Sequence, residues 1–294
     1  MDRVRAQAHR LLDLRHRLAV RVPAWPVGAG LEGRVVITGS GGLIGGIVRA
    51  GLADGYALRG VDRSPGPGVD VVADMRRLAS VRRVLEGADA VVDLAAKGSP
   101  YSTWKTVCDE DVRPALNVFE AARDVGVPRI VYASSNHAVG AYEQDEPYAS
   151  VVAGAYNGLD PGSFPRISVD APVRPDGPYG AGKGFCEVAA RYYADSAGLS
   201  ILCLRIGTVL SDDRPARERH FATLLTHGDL VSLVRCCLEA PASLRYGVFY
   251  GVSDNTWRFW DIESARRSLG YAPVDDAERW RDRLALREAH SASG

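Results

Sequence analysis

Tyr179-Gly-Ala-Gly-Lys183 places a phenol and an ammonium four residues apart. On a helix that spacing stacks both side chains on one face, about one turn apart. A free tyrosine has a pKa of about 10 and is a poor base at neutrality. A lysine cation close by favours the phenolate, which makes tyrosine a usable proton acceptor. By itself the pattern also fits a pair of surface side chains, so its weight depends on its surroundings. Ile130–Ala133 reads as a buried strand leading into Ser134-Ser135-Asn136-His137. In a doubly wound sheet, ligands sit at the carboxyl ends of strands. The Ser135 hydroxyl could there hydrogen-bond a substrate oxygen that Tyr179 deprotonates; a polar turn is the plainer account.

The elements that must position these groups begin upstream. Arg34-Val-Val-Ile-Thr38 reads as a short buried strand running into Gly39-Ser-Gly-Gly42-Leu-Ile-Gly45 and a helical stretch. A strand, a glycine turn and a helix N-terminus make a pyrophosphate site, because bare backbone N–H groups and the helix dipole point at it. Strand 56–61 ends at Asp62, 23 residues after Gly39, where a carboxylate can accept hydrogen bonds from an adenosine ribose. A carboxylate there repels the 2′-phosphate of NADP, so NAD is the expected cofactor. Arg63 reads as a solvated loop charge, with partial rescue of NADP as the alternative.

Strands alternate with helices from residue 34 to about 206, which predicts an α/β fold with a doubly wound parallel sheet, a Rossmann fold. Strands are expected at 34–38, 56–61, 69–73, 90–95, 129–134, 200–206 and near 247–250. Helices are expected at 43–54, 75–86, 102–126, 180–197, 228–239 and 258–269. Residues 34–210 would form the cofactor domain and 211–294 a small C-terminal substrate lobe, with an exposed charged helix at 275–288. Residues 143–177 break the alternation as a loop-rich insertion with five prolines, and loops of that length are usually functional or disordered. Residues 1–33 read as a basic amphipathic helix and a Pro/Gly linker, with six arginines against two aspartates in the first 22 residues. Arg15 and Arg17 interrupt any signal-peptide core, so packing on the protein's own body or on a subunit partner is expected.

The 36 basic and 36 acidic residues cancel, so no global field draws the chain to nucleic acid or to an anionic membrane. No apolar run reaches the roughly 18–20 residues that span a bilayer. The five cysteines show neither zinc spacing nor a disulfide framework; no metal is expected, and a reducing cytoplasm fits best.

Together, Thr38-Gly39-x-x-Gly42-x-x-Gly45, Asp62, Asp74, Leu94-Ala95-Ala96, Ser134-Ser135 and Tyr179-x-x-x-Lys183 resemble the extended short-chain dehydrogenase/reductase superfamily. Within it the chain looks most like the uronate dehydrogenases. That likeness is carried by Ala133-Ser-Ser-Asn-His137, Arg174-Pro-Asp-Gly177, Arg205-Ile-Gly207 and Thr226-His227-x-Asp229-Leu-Val-Ser232. The resemblance implies that Gly39, Gly42 and Gly45, with Leu43 and Ile44, cradle the NAD pyrophosphate. Asp62 and Arg63 would meet the ribose, and Asp74 and Met75 the adenine. Leu94, Ala95, Ala96, Asp111, Ser134 and Ile206 would complete the cofactor site. Tyr179 becomes the base, Lys183 its tuner and a nicotinamide-ribose ligand, and Ser135 the hydroxyl that positions the reacting oxygen. Ser99, Asn136, His137 and Thr208 would line a sugar site. Arg219 would grip a uronate carboxylate through two parallel hydrogen bonds, with Arg214 and Arg217 as neighbouring rivals. His137 as a structural turn residue is the alternative, and His220 and His227 read as helix-edge residues. The resemblance further implies oxidation of the anomeric hydroxyl to a lactone, and a homodimer formed through helices 102–126 and 180–197.

Three departures bear on this reading. Asp111 stands where the family's helix usually carries asparagine, and an ionised aspartate only accepts, which puts a proton relay from the lysine in question. Thr208 replaces the usual serine. Ser135 and Tyr179 are 44 residues apart, beyond the usual spacing. The extra residues fall in 143–177 and are expected to form a lid or wall over the substrate site, with Tyr142, Tyr148, Tyr156 and Phe164 as candidate contacts and aromatic anchors of the loop as their alternative reading. That argues for a substrate larger than a simple hexuronate. A nucleotide-sugar epimerase is the alternative enzyme, and a non-catalytic NAD-sensing binding protein the alternative from another class.

Overall fold

The computed structural model describes Val22, Pro23 and residues 33–282, so the basic helix expected in the first 22 residues and the end of the charged tail lie outside the described residues. Seven strands form one parallel sheet: β1 (Arg34–Thr38), β2 (Ala57–Asp62), β3 (Val71–Val72), β4 (Ala90–Asp93), β5 (Arg129–Ser135), β6 (Ser200–Ile206) and β7 (Tyr246–Gly251). Their order is β3-β2-β1-β4-β5-β6-β7. The chain therefore winds one way from β1 to β3 and the other way from β4 to β7. The reversal between β1 and β4 opens a crevice at the strand carboxyl ends, which is where such sheets bind ligands.

Both sheet faces are covered, so the strands read as continuous apolar runs. Because successive strand residues point to opposite faces, Val36, Val91 and Ile130 pack with Phe119, Ala122 and Ala190 on one side. Val35, Ile37 and Val131 pack with Val48, Leu52, Leu230 and Leu233 on the other. The covering helices are α1 (Leu43–Leu52), α2 (Leu78–Leu85), α3 (Trp104–Val107 through Arg113–Val125), α4 (Pro178–Ala197), α5 (His227–Glu239) and α6 (Glu263–Leu269).

Local chemistry explains where the observed elements depart from the expected ones. The helix expected at 102–126 is interrupted by a π-turn, Cys108–Val112, where the Arg113 N–H reaches the Cys108 carbonyl. Pro114 has no N–H to continue the regular ladder, and the widened turn precedes it. The helix expected from residue 258 begins at Glu263, because Phe259 and Trp260 are buried and Trp260 bridges Ile167. Residues 136–144 form a 3₁₀ segment, and Tyr148–Val152 a short helix.

The insertion is not the wall that was expected. Its aromatic residues turn into a third apolar cluster, where Val139, Val151, Phe164 and Ile167 pack with Tyr250, Phe259 and Trp260. Tyr148 meets the Phe259 ring and Tyr156 stacks on Trp257 at 4.0 Å. Tyr142 donates to the Pro172 carbonyl and lies beneath Arg174. None of the four lines the cavity described below, because packing against the cluster around Tyr250, Phe259 and Trp260 takes their apolar faces.

Candidate active site

The ends of β1 and β4 are tied at their C-termini by one hydroxyl. Thr38 Oγ1 donates to Asp93 Oδ1 at 2.6 Å and accepts the N–H groups of Leu94 and Ala95 at 3.1 Å each. Asp93 is fully buried, and that burial pushes its carboxyl pKa up. The chain then turns at Gly39 and enters α1. A Cβ on Gly45 would fall 2.2 Å from the Gly39 carbonyl oxygen, so only glycine lets the helix start press onto the turn. Asp62, at the end of β2, accepts the Gly41 N–H at 3.2 Å and the Arg63 N–H at 2.7 Å.

A cavity of about 450 Å³ runs from Gly41 and Gly42 past Asp62 and Arg63 to Asp74 and Met75. It shares Gly39, Gly42, Asp62, Ala96 and Lys97 with a second cavity of about 740 Å³. A bare glycine turn, a helix start and a carboxylate at the rim of two adjoining hollows fit an extended dinucleotide. Arg63 is a largely exposed charge, its side chain 60% exposed, that donates to Glu110 at 2.7 Å, and Arg76 reaches the same carboxylate at 2.6 Å. Arg76 also hydrogen-bonds Asp74 and holds its carboxyl below the usual range.

The second cavity brings together Ser135, Asn136, His137, Tyr179, Lys183, Thr208 and Arg219, along with Leu43, Ile44, Leu94 and Ile206. Gly180 makes this possible. A Cβ there would meet the His137 carbonyl oxygen at 2.0 Å, so α4 starts directly against the segment after β5. Lys183, one turn beyond Tyr179, donates to the Ala133 carbonyl at 2.6 Å and lies 5.8 Å from the Tyr179 ring centroid. The Ser135 hydroxyl accepts the His137 N–H at 3.2 Å. His137 stands edge-on to Tyr179, and Asp176 holds its Nδ1 at 2.6 Å.

Several side chains named from the sequence do other work. Ser134 borders the cavity, but its hydroxyl donates to Glu187 Oε1 at 2.6 Å, and Glu187 also pairs with buried Arg205 through two hydrogen bonds. That pair raises the Arg205 pKa against the opposing effect of burial. Asp111 does not reach either cavity. It lies buried in the π-turn and accepts the backbone N–H groups of Lys97 and Gly98 at 2.8 and 3.3 Å, bracing the loop over the site. Ser99 lines neither cavity, and its hydroxyl accepts the Tyr101 N–H. His220 opens the one-turn helix His220–Thr223, and it is also buried and lines the second cavity. Ala216 N–H and Arg217 Nε–H both approach its ring nitrogens. Burial, with Arg217 and Arg219 nearby, pushes the His220 pKa down to about 4.

Sequence reading did not find Asp93, Asp176, Glu187 or Glu143. Asp93 closes an apolar run, and Glu187 falls one turn after Lys183 on the same helix face; both were local signals. Asp176 stood only within the Arg174-Pro-Asp-Gly177 motif and Glu143 gave no signal, since each meets its partner across the insertion. Arg219 Nε and Nη2 donate to the two Glu143 carboxylate oxygens, each at 2.6 Å, and Nη1 donates to Thr208 at 3.3 Å.

The sheet order, the glycine turn and the Ser–Tyr–Lys cluster define an enzyme of the extended short-chain dehydrogenase/reductase type. Residues 35–228 match the NAD dependent epimerase/dehydratase family, and the chain belongs to it. It is 34% identical to the NAD-dependent glucose-6-phosphate dehydrogenase of Haloferax volcanii over 255 residues, covering 83% of this chain and 94% of the relative. The uronate dehydrogenase of Pseudomonas putida is 34% identical over 267 residues, covering 88% and 90%. A crystal structure of a uronate dehydrogenase variant from Agrobacterium tumefaciens in complex with NAD is 32% identical. It superimposes with a TM-score of 0.73 and covers 86% of this chain and 89% of that one.

Proposed function

We propose that the chain oxidises a hydroxyl of a sugar or sugar acid with NAD, taking the proton on Tyr179. The observation that carries this is the meeting of Ser135, Tyr179 and Lys183 in one cavity that continues from the glycine turn. Ser135 and Tyr179 would hold the reacting oxygen, and the phenolate removes its proton. The Lys183 ammonium, shielded from water, stabilises that phenolate, and its two remaining N–H donors can take a ribose hydroxyl. NAD, bound along the glycine turn and Asp62, supplies the hydride acceptor. At an anomeric carbon the O–H proton leaves to Tyr179, the C–H pair leaves as hydride, and the new C=O makes a lactone. Asp111, braced against backbone N–H groups, is a positioning residue in this scheme.

The test follows NADH absorbance with NAD and a panel of sugars and uronic acids. Tyr179→Phe should cut turnover by about 10²–10⁴-fold, the range for losing a general base, while NAD still binds. An unchanged rate in that variant would sink the scheme. We also propose a homodimer. Phe185, Val188 and Tyr192 share one face of α4 and are 53%, 68% and 64% exposed, an apolar stripe suited to a second copy of the same helix.

A further inference from the structure

We infer that Glu143 occupies the seat that a substrate carboxylate would take, so that this cavity selects neutral sugars over sugar acids. This rests on the dehydrogenase reading above and narrows it.

Arg219 lines the cavity beside Thr208 and His220. A guanidinium grips a carboxylate through a fork of two parallel N–H groups. In this chain that fork is already engaged. Nε and Nη2 each donate to a Glu143 oxygen at 2.6 Å, and the third nitrogen donates to Thr208 Oγ1. The two side chains are only 17% and 14% exposed, which weakens screening of the pair by solvent. Arg219 is also held from behind: Thr208 Oγ1 pairs with Thr223 Oγ1 at 2.8 Å, and Thr223 donates to the Arg219 carbonyl at 3.0 Å. Glu143 lies in the 136–144 stretch that follows Ser135, beyond a kink at Val139.

A uronate brought to Arg219 would meet a neutralised cation and a second carboxylate at its side. Like charges that close disfavour the ionised pair, so the incoming acid must either displace Glu143 or lose its charge. A neutral sugar meets no such repulsion. Its hydroxyls can accept from the Arg219 N–H groups left over. Of the other cations at the cavity, Lys183 serves Ala133 and Tyr179, Arg217 aims its Nε at His220, and Lys97 stands at the end shared with the hollow beside the glycine turn.

The experiment uses matched pairs, D-galactose with D-galacturonate and D-glucose with D-glucuronate, on the full chain with NAD. The expected result is a kcat/KM at least about tenfold higher for the aldoses, with the ratio falling at least about tenfold in Glu143→Gln and Glu143→Ala. The isosteric Gln variant guards against a folding defect in the Ala variant. Preference of the wild-type protein for uronates, or a ratio unmoved by both substitutions, overturns the inference. Calorimetric titration of the same pairs into NAD-loaded Tyr179→Phe protein reads the seat without turnover. Aldose-selective binding with no NADH from any sugar in the wild type sinks the dehydrogenase reading and leaves the seat standing. Binding by neither member of a pair overturns the seat as well.

Discussion

Asp62 illustrates how one carboxylate can build a turn and also choose a cofactor. It accepts the Gly41 and Arg63 N–H groups, which holds it at the rim of the hollow beside the glycine turn. A 2′-phosphate arriving there would face this anion and find the Arg63 guanidinium engaged with Glu110. Asp62→Ser should therefore raise the ratio of kcat/KM for NADP over NAD by about tenfold or more, the effect of roughly 1.4 kcal/mol of relieved repulsion. Steady-state kinetics with both cofactors checks it. His220 acts on stability instead. Its pKa is depressed from 6.5 to about 4 in the fold, so the unfolded chain binds the proton more readily. The stability this residue contributes is whole above pH 6.5 and is lost as pH falls towards 4, on the order of 3 kcal/mol by linkage. Urea titrations at pH 7 and pH 4 should show that component in the wild type and lack it in His220→Gln.

At the scale of elements, the site depends on how closely α4 approaches the segment after β5. Gly180 sets that distance, because any side chain would collide with the His137 carbonyl. Gly180→Ala should push the helix start outward and move Tyr179 relative to Ser135. We expect kcat to fall by about 10²-fold, as misplacement of roughly 1 Å can cost, while NAD affinity measured by calorimetry is kept. Loss of NAD affinity with kcat intact would show that the contact serves the cofactor rather than the catalytic pair. Further along α4, Glu187 ties the helix to β5 through Ser134 and to β6 through Arg205. Breaking a buried pair of this kind leaves an uncompensated charge, so the two residues are expected to tolerate replacement only together.

Across the whole molecule, the insertion shares one apolar cluster with Tyr250, Val252, Phe259 and Trp260, and it meets residues of the site through polar side chains, Glu143 with Arg219 and Asp176 with His137. Among the described residues no helix is long and apolar enough to cross a membrane. The exposed stripe of α4 is the face through which the proposed homodimer would form. Analytical ultracentrifugation should give twice the chain mass for the wild type, and Val188→Glu should give the monomer mass by placing a charge in the middle of that stripe. A monomeric wild-type protein would remove the dimer proposal.

The sequence by itself determined the alternation of strands and helices, the parallel sheet and the glycine turn, because those rest on apolar runs, turn residues and spacings confined to short stretches. Tyr179 and Lys183 were legible for the same reason: four residues on one helix are a local relation. Asp62 followed from its distance along the chain. The tertiary structure alone decided what faces these groups. Glu143 meets Arg219 and Asp176 meets His137 across 76 and 39 residues, and no periodicity encodes such a meeting. It also decided between two readings of Tyr148, Tyr156 and Phe164, since an aromatic ring in a loop can anchor a core or line a cavity. Only the apolar surface available nearby, here from Trp257, Phe259 and Trp260, settles which it does.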